Sequence, residues 1–303
     1  MSMELTVLGC NSALPTSQRN PSAQILNVSG RTFLIDCGEG TQFQIRRAHI
    51  NFMRIEYIFI SHTHGDHTFG LIGLLSTMSL MNRTSSLTIF CDPRLEEMLK
   101  PQIAFFIDNL SFELHFSPLR FDKPEIILNI KGVVVHSVPL KHRVPTCGFV
   151  FREQVKEPNI KKQAIYKYGL TIADIVSIKG GKKYFDIDGT EVPRTELVTD
   201  APAPMSYAYI SDTAFMPEIV AHIHGVSLLY HEATFAEDNA LLAKKTLHST
   251  AIQAATIARL ANVGKLLLGH FSSRYKDTDV IEAEAQTVFE DSTAVFDGFK
   301  ILF

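Results

Sequence analysis

The segment SHTHGDH places three histidines and an aspartate within seven residues, directly after the apolar run RIEYIFI. The apolar run predicts a buried β-strand, and His62 and His64, two residues apart, can point to the same side of it. A glycine then permits a tight turn before Asp66 and His67 open the next helix. Imidazoles and carboxylates are ligands of divalent ions, zinc above all, at about 2.0–2.2 Å. Because three buried histidines without a metal would need many hydrogen-bond partners, the segment predicts a metal site at a strand exit.

Three further ligand-type residues directly follow apolar runs elsewhere in the chain. His142 comes after GVVVHSVPL, Asp212 after SYAYIS and His270 after KLLLG. His136 competes with His142, but it lies inside its apolar run, where a packed strand histidine is the better interpretation. Asp212 by itself could be a helix N-cap and His270 a satisfied terminal histidine. As a set, these residues complete a two-metal site.

Short apolar strands alternate with helical stretches along both halves of the chain. The predicted strands include MELTVLG, SAQILNV, RTFLIDCG, YIFISH, SLTIFCD, SYAYISD, VSLLYHEA and KLLLGH. Helices are predicted over GTQFQIRRAHI, over 66–80 and from Pro93. This alternation, with ligand residues at strand ends, indicates an α/β fold in which helices cover layers of sheet. We expect one domain over residues 1–303 with an insert at about 152–200.

The insert differs from the rest of the chain in charge. From Arg152 to Lys183 it carries eight basic and three acidic residues, a net charge of +5, in a protein whose formal net charge is −3. Tyr166 and Tyr168 lie among these cations, and Tyr184 directly follows Lys183. Such a segment is typical of a nucleic-acid contact arm, and a solvated surface excursion explains the charge equally well. The slightly acidic total gives no indication of general adhesion to nucleic acid.

The cysteines and the absence of membrane signals predict the compartment. The four cysteines are widely spaced and form no CxxC pair, which indicates reduced thiols and no cysteine zinc site. The first residues lack a basic segment followed by an apolar one, so no signal peptide is predicted. The most apolar stretch, LIGLLSTMSLM, is too short to span a bilayer. We therefore expect a soluble, cytoplasmic protein with no membrane partner.

Taken together, these motifs resemble the tRNase Z family of metallo-β-lactamase-fold hydrolases, endonucleases that trim tRNA 3′ ends. The general fold is carried by SHTHGDH, by KH at 142, by SDT and by GH at 270. The narrower resemblance rests on LIDCGEGTQ, HEATF, HST, GHFSSRY, ALPTSQRNPSA and the single basic insert. It spans nearly the whole chain outside that insert, and lactamases and glyoxalases of the fold are not expected to combine HEATF with HST.

The resemblance implies an αβ/βα sandwich with a protruding basic arm and two Zn²⁺ per subunit at one edge between the sheets. One zinc would be bound by His62, His64 and His142. The second would be bound by Asp66, His67 and His270, with Asp212 bridging both. The implied reaction removes the 3′ trailer of precursor tRNA by attack of a metal-bridging hydroxide on phosphorus, leaving a tRNA 3′-hydroxyl and a 5′-phosphorylated trailer. A homodimer is also implied, in which the arm of one subunit clamps tRNA for the site of the other.

Proton transfer in this reaction is predicted for three side chains. The leaving 3′-oxygen needs a proton, and His248 of HST is the candidate general acid. The spacing of Thr250 and Gln253 fits a capping box for the helix that follows it. Glu232 of HEATF would accept the other ring N–H and favour the charged imidazolium. Asp66 would in addition orient or deprotonate the attacking water.

Substrate contacts are predicted at cationic side chains. Arg274 lies four residues beyond His270 and suits a bidentate grip on phosphate, with a solvated arginine or an ion pair to a carboxylate as the alternative. In the arm, the predicted tRNA contacts are Lys161, Lys162, Lys182 and Lys183.

Two other functions stay open for the sequence. One is a small-molecule or cyclic-nucleotide phosphodiesterase of the same fold, and the other is a non-catalytic, zinc-stabilised RNA-binding protein; a lactamase is a weaker option. The basic insert favours RNA over a small substrate. The complete ligand set with His248 and Glu232 favours catalysis over binding alone.

Overall fold

The computed structural model describes residues 3–303, which divide into two compact units. The main unit comprises residues 3–153 and 205–303. The insert unit comprises residues 154–204 and overlaps the segment expected at about 152–200.

The first sheet of the main unit has seven strands in the order β18-β1-β2-β3-β4-β5-β6. Its strands are β1 (Glu4–Gly9), β2 (Ala23–Val28), β3 (Arg31–Ile35), β4 (Ile55–Phe59), β5 (Leu87–Cys91), β6 (Leu114–Pro118) and β18 (Lys300–Leu302). Strands β1 to β3 pair antiparallel, whereas β3 to β6 run parallel. The inner strands are almost continuous apolar runs because both faces of the sheet are covered.

The second sheet also has seven strands, in the order β17-β16-β15-β14-β9-β8-β7. Its strands are β7 (Glu125–Ile130), β8 (Val133–Leu140), β9 (Thr146–Glu153), β14 (Ser206–Ile210), β15 (Leu228–Glu232), β16 (Leu266–Gly269) and β17 (Ser292–Ala294). Strands β7, β8, β9 and β14 pair antiparallel, and β14 to β17 are parallel. The carboxyl ends of β14, β15 and β16 therefore meet at one edge.

Aromatic side chains from both sheets form the core between them. Phe59 of the first sheet packs against Phe149 and Phe151 of the second, with ring centroids 5.4 and 5.3 Å apart. Phe33 lies 5.6 Å from Phe151. These rings are fully buried, and tilted and edge-on aromatic pairs of this kind add to the stabilisation from buried area.

Helices cover the outer faces of the sheets and complete an α/β sandwich. The helices of the main unit are α1 (Thr41–Arg47), α2 (Gly65–Thr68), α3 (Leu71–Leu80), α4 (Pro93–Phe106), α8 (Val220–Ile223), α9 (Ala240–Thr246), α10 (Ala251–Leu260) and α11 (Asp279–Gln286). Buried residues of α1, α3 and α4 pack on the first sheet, and α10 packs on β15 and β16. The capping box predicted at Thr250 and Gln253 is confirmed at the start of α10.

The single helix expected over 66–80 is divided into α2 and α3. Gly70 at the break donates its N–H to the Cys37 carbonyl at 2.9 Å. A Cβ atom at this position would lie 2.2 Å from the Gly38 carbonyl oxygen. The close approach of the turn after β3 therefore interrupts the helical hydrogen bonds, a tertiary effect that helical periodicity does not reveal.

The insert unit has a small core of its own. Its elements are β10 (Asn159–Ile160), α5 (Lys162–Tyr168), α6 (Ile172–Lys179), β11 (Tyr184–Phe185), β12 (Glu191–Val192), α7 (Arg194–Leu197) and β13 (Val198–Thr199). Its buried residues are Ala164, Leu170, Ile178, Val192, Leu197 and Val198.

The charge of the insert unit is much smaller than the segment 152–183 suggests. Residues 154–204 contain eight basic and seven acidic residues, a net charge of +1. Lys183 pairs with Glu191 at 2.8 Å, and Lys161 donates its Nζ–H to the Thr195 carbonyl at 2.6 Å. Of the four predicted contact lysines, only Lys162 and Lys182 make no side-chain hydrogen bond or ion pair with the described residues.

The structure bears on two sequence features used to predict the compartment, the cysteines and the membrane-spanning potential. All four cysteines are buried and free. The longest helix within residues 3–303 has 14 residues, and none of the described helices has the length and apolar character needed to cross a membrane.

Candidate metal centre

All seven predicted ligand residues meet at one edge of the two sheets. His62 and His64 follow β4, Asp212 follows β14, and His270 follows β16. His142 follows β8 of the same sheet as Asp212. The strand ends thus bring residues that are far apart in the sequence to one place, as the carboxyl edges of parallel strands generally do.

The first group of ligand atoms belongs to His62, His64, His142 and Asp212, which lie within 4.8 Å of one another. His62 Nε2 is 2.9 Å from His64 Nδ1. Asp212 Oδ1 lies 3.8 Å from His62 Nε2 and 3.7 Å from His142 Nε2.

The second group belongs to Asp66, His67 and His270, whose ligand atoms also lie within 4.8 Å of one another. Asp212 Oδ2 is 3.1 Å from His67 Nε2 and 3.2 Å from His270 Nε2. Asp66 Oδ2 lies 3.5 and 3.6 Å from the same two nitrogens. Asp212 therefore presents one oxygen to each group.

Two ring nitrogens in this cluster lie close to carboxylates but form no hydrogen bond with them. His67 Nε2 and His270 Nε2 are buried and make no hydrogen bond to any described residue. Their other nitrogens are held: His67 Nδ1 lies 2.7 Å from Asp36 Oδ2, and His270 Nδ1 lies 3.0 Å from Thr234 Oγ1. An imidazole fixed through Nδ1 with a free Nε2 is the usual arrangement of a metal ligand. The His/Asp cluster is compatible with a metal site.

Burial disfavours the charged form of the three histidines in the first group. It lowers the pKa of His62, His64 and His142 below the usual value for imidazole. Neutral imidazole is the form that coordinates a metal.

The second group has an excess of negative charge. Burial lowers the pKa of His67, but the carboxylates of Asp212, Asp36 and Asp66 outweigh it and raise that pKa well above the usual value. Burial likewise raises the pKa of Asp212, and His270 and His67 outweigh it and lower that pKa. A potential that holds a proton on a buried imidazole also attracts a cation.

Three residues of the centre have strained backbone conformations. Asp36, Asp212 and His270 have φ angles of 54°, 55° and 57°. Residues other than glycine seldom adopt this left-handed region, and such strain is concentrated at functional sites. Each residue lies at the end of a strand, where the turn directs its side chain into the cluster.

His248 and Glu232 form the pair that HST and HEATF predict. His248 Nδ1 lies 2.9 Å from Glu232 Oε1. The Glu232 carboxylate, which is fully buried, also accepts hydrogen bonds from Thr213 N at 2.7 Å, Ser249 N at 3.1 Å and Thr234 Oγ1 at 2.5 Å. It therefore connects the backbone next to Asp212 with the candidate acid.

The pKa of His248 is raised to about 9, because the Glu232 carboxylate outweighs the lowering effect of burial. His248 also lies close enough to Asp212 and His270 to form a third possible ligand group. Its Nδ1 is engaged by Glu232, which belongs to none of these ligand groups, and we therefore treat His248 as a candidate acid and not as a ligand.

A cleft of about 460 Å³, here called the metal cleft, opens over the centre. Its lining includes His64, Asp66, His142, Asp212, His248, Phe69, Phe235 and Arg143. Arg274 lies with its guanidinium 5.2 Å from the Phe235 ring centroid. It donates hydrogen bonds to Ser272 Oγ at 3.1 Å and Asn239 Oδ1 at 3.2 Å. The alternative ion pair of Arg274 with a carboxylate is not formed within residues 3–303.

Three residues of the site were not singled out by the sequence motifs. Asp36 contacts Nδ1 of His67, and Thr234 contacts Nδ1 of His270. Asp36 lies in the motif LIDCGEGTQ and Thr234 in the motif HEATF. Arg143 lines the metal cleft. Its position directly after the predicted ligand His142 is the sequence feature that could have identified it.

Comparison with known proteins gives three kinds of match. A family model described as "Anti-Pycsar protein Apyc1" matches residues 3–156. Ribonuclease Z of Phocaeicola vulgatus is 43% identical over 298 residues, covering 98% of this chain and 96% of the relative. The crystal structure of human tRNase Z, short form, has a TM-score of 0.71 at 25% identity, covering 98% of both chains. The metallo-β-lactamase-fold protein YhfI of Bacillus subtilis has a TM-score of 0.70 at 18% identity over the full length of both chains.

Proposed function

The chain belongs to the ribonuclease Z family, and we propose that it removes the 3′ trailer of precursor tRNA by using two zinc ions held by its histidine–aspartate cluster. Its residues 3–156 also belong to the family described as anti-Pycsar protein Apyc1. The protein is an endoribonuclease of tRNA 3′-end processing on a metallo-β-lactamase fold. The observation that carries the metal-dependent mechanism is the position of Asp212, with one carboxylate oxygen facing each group of histidines.

The two ligand groups would each hold one ion. His62, His64 and His142 would bind the first, and Asp66, His67 and His270 the second, with Asp212 bridging. The free Nε2 atoms of His67 and His270 support this assignment. When bound, the ions would lower the pKa of water towards neutrality and offset the negative charge of the phosphate.

Asp66 orients the attacking water. Burial raises its pKa, but His67 and His270 outweigh this effect and hold the pKa far below the usual range for a carboxyl group. Its Oδ2 also accepts a hydrogen bond from the Ala13 N–H at 2.8 Å. An ionised carboxylate positions a water molecule by accepting a hydrogen bond from it, and it can take up the proton as the water attacks.

His248 donates the proton to the leaving 3′-oxygen. Its Nδ1–H is donated to Glu232 Oε1, which leaves Nε2–H for the substrate in the metal cleft. The raised pKa keeps the imidazolium populated at neutral pH. Arg274 contacts a substrate phosphate, and its stacking on Phe235 holds the guanidinium in place.

The insert unit contributes contacts to tRNA. Lys162 and Lys182 have no ion pair with a described residue, so their charges are available to phosphates. Lys161 and Lys183 are the weaker candidates, because a carbonyl and a carboxylate already engage them.

We also propose a cytoplasmic homodimer. Buried free cysteines agree with a reducing compartment. Exposed Leu80 at the end of α3 and exposed Phe105 and Phe106 at the end of α4 offer apolar surface for a second copy. Sedimentation equilibrium would report twice the chain mass of 33.9 kDa for a dimer and the chain mass itself for a monomer.

The test of the function is cleavage of a precursor tRNA with a 3′ trailer, mapped to the nucleotide with and without a chelator. We expect one cut near the discriminator base, lost on chelation and restored by zinc. If no cut occurs while an aryl phosphodiester is still hydrolysed, the enzyme is a small-molecule phosphodiesterase. A cut that survives chelation would contradict the role of the metals.

A further inference from the structure

A second cleft, of about 630 Å³, lies beside the metal cleft. It is lined by Phe121, by residues 139–146 at the end of β8 and the turn into β9, and by residues 215–218, which follow β14 and Asp212. The two loops are tied together by hydrogen bonds from Ala214 N to the Lys141 carbonyl at 2.9 Å and from Lys141 N to Thr213 Oγ1 at 3.3 Å. We call this space the side cleft.

The side cleft adjoins the metal cleft. His142 and Arg143 line both of them. A chain that carries its reacting phosphate over the metal centre can therefore place a neighbouring residue in the side cleft.

The chemistry of the side cleft fits a nucleotide. Phe121, Leu140, Phe215 and Met216 provide an apolar wall, and Phe215 exposes 39% of its surface. Aromatic rings of this kind stack on bases without strong sequence preference.

One cationic and one acidic side chain of the side cleft could also contact a nucleotide. Arg143 is exposed, and its guanidinium makes no hydrogen bond or ion pair with residues 3–303. It is therefore available for bidentate contact with a phosphate. Glu218 also lines the space, and its carboxylate would accept a hydrogen bond from the amino group of a base.

We propose that the side cleft binds one unpaired nucleotide adjacent to the scissile phosphate, with its base stacked on Phe215 and its phosphate held by Arg143. The proposal rests on the proposed function, since it requires an RNA substrate. Under this proposal Phe215 contributes to binding of RNA and does not contribute to hydrolysis of a small phosphodiester.

The experiment uses precursor tRNAs in which one nucleotide at a time, on either side of the cut, lacks its base. We would measure kcat/KM for the wild type and for Phe215→Ala on each substrate. At one position we expect base removal to lower kcat/KM of the wild type about tenfold and to have no further effect in Phe215→Ala. Phe215→Tyr should behave as the wild type, and hydrolysis of an aryl phosphodiester should be unchanged in Phe215→Ala.

A matched control is Phe43→Ala, which removes a phenylalanine that is 64% exposed and lines neither cleft. If base removal acts equally on the wild type and Phe215→Ala at every position, the inference is wrong. It is also wrong if Phe215→Ala impairs aryl phosphodiester hydrolysis as strongly as RNA cleavage, because the ring would then only support Asp212. Absence of any cut by the wild type would overturn the proposed function and this inference together.

Discussion

Asp36 holds the ring of His67, one of the proposed metal ligands. Its carboxylate accepts hydrogen bonds from Ser61 N at 2.8 Å and Tyr209 Oη at 2.7 Å, and its Oδ2 lies 2.7 Å from His67 Nδ1. These contacts set the ring orientation of His67, so that Nε2 points towards Asp212.

We predict that Asp36→Asn lowers zinc affinity of the second ligand group about 10–100-fold, as is typical when the hydrogen-bond partner of a ligand histidine is changed. A zinc titration should become biphasic, with the first group unchanged. A thermal unfolding curve of the metal-free protein would be the control for folding. Unchanged affinity in a folded variant would remove Asp36 from the support of the metal site.

His248 can be separated from metal binding by substitution. His248→Ala should retain two zinc ions, because the proposed ligand groups do not include it. Turnover of precursor tRNA should fall about 10²–10⁴-fold, the usual contribution of general acid catalysis. The matched control is His222→Ala, an exposed histidine outside the cluster. Turnover close to that of the wild type would exclude His248 as the acid.

The carboxylate of Glu232 should be visible in the pH profile. The acid form of His248 is populated below its pKa of about 9 and is lost as pH rises through that value. Glu232→Gln removes the charge that outweighs burial, so the pKa of His248 falls and the alkaline limb of kcat/KM moves to lower pH. Equal zinc content of the two proteins, measured in parallel, would assign the difference to the charge of Glu232. An alkaline limb at the same pH in both would contradict the proposal.

At the scale of elements, ion pairs within the insert unit decide which lysines are free. Lys183 pairs with Glu191 at 2.8 Å and Lys167 with Glu196 at 3.0 Å. Exposed pairs of this kind contribute little stability, but they reduce the charge presented to a nucleic acid. The number of lysines in the segment therefore overstates its positive potential.

We predict that the double variant Lys162→Ala/Lys182→Ala weakens binding of precursor tRNA and lowers the salt dependence of binding by about two phosphate contacts. Lys167→Ala/Lys183→Ala removes the same net charge from paired positions and is the control. Filter binding over a range of salt concentrations would measure both slopes. Equal effects of the two variants would mean that only net charge matters, and that the free lysines make no specific contact.

At the scale of the whole molecule, the chain leaves and re-enters the main unit at neighbouring positions. Glu153 N donates a hydrogen bond to the Met205 carbonyl at 2.9 Å, and Arg152 pairs with Ser206 across β9 and β14. A short turn can therefore join the two strands in place of residues 154–204. Arg152 and Glu153 belong to β9, so a deletion that starts at 152 would damage the second sheet.

We predict that replacing 154–204 by a short turn leaves hydrolysis of an aryl phosphodiester intact and weakens cleavage of precursor tRNA. The main unit keeps all proposed metal ligands and its own core. Comparison of kcat/KM for the two substrates would test this. Loss of both activities would show that the insert unit is needed for folding of the main unit.

The ligand types, most strands and the family resemblance can be read from the sequence because they depend on neighbouring residues. Spacing within SHTHGDH determines which side chains leave the same strand end, and apolar runs determine where strands form. Capping at Thr250 is also local, and it was predictable.

Only the tertiary structure decided which distant groups meet. Asp36 contacts His67 across 31 residues, and Thr234 contacts His270 across 36. The division of the expected helix at Gly70, the paired lysines of the insert unit and the side cleft have the same origin. Each depends on packing between segments that are remote in the chain. Sheet order and turn geometry bring these segments together, and the spacing of neighbouring residues carries no information about either.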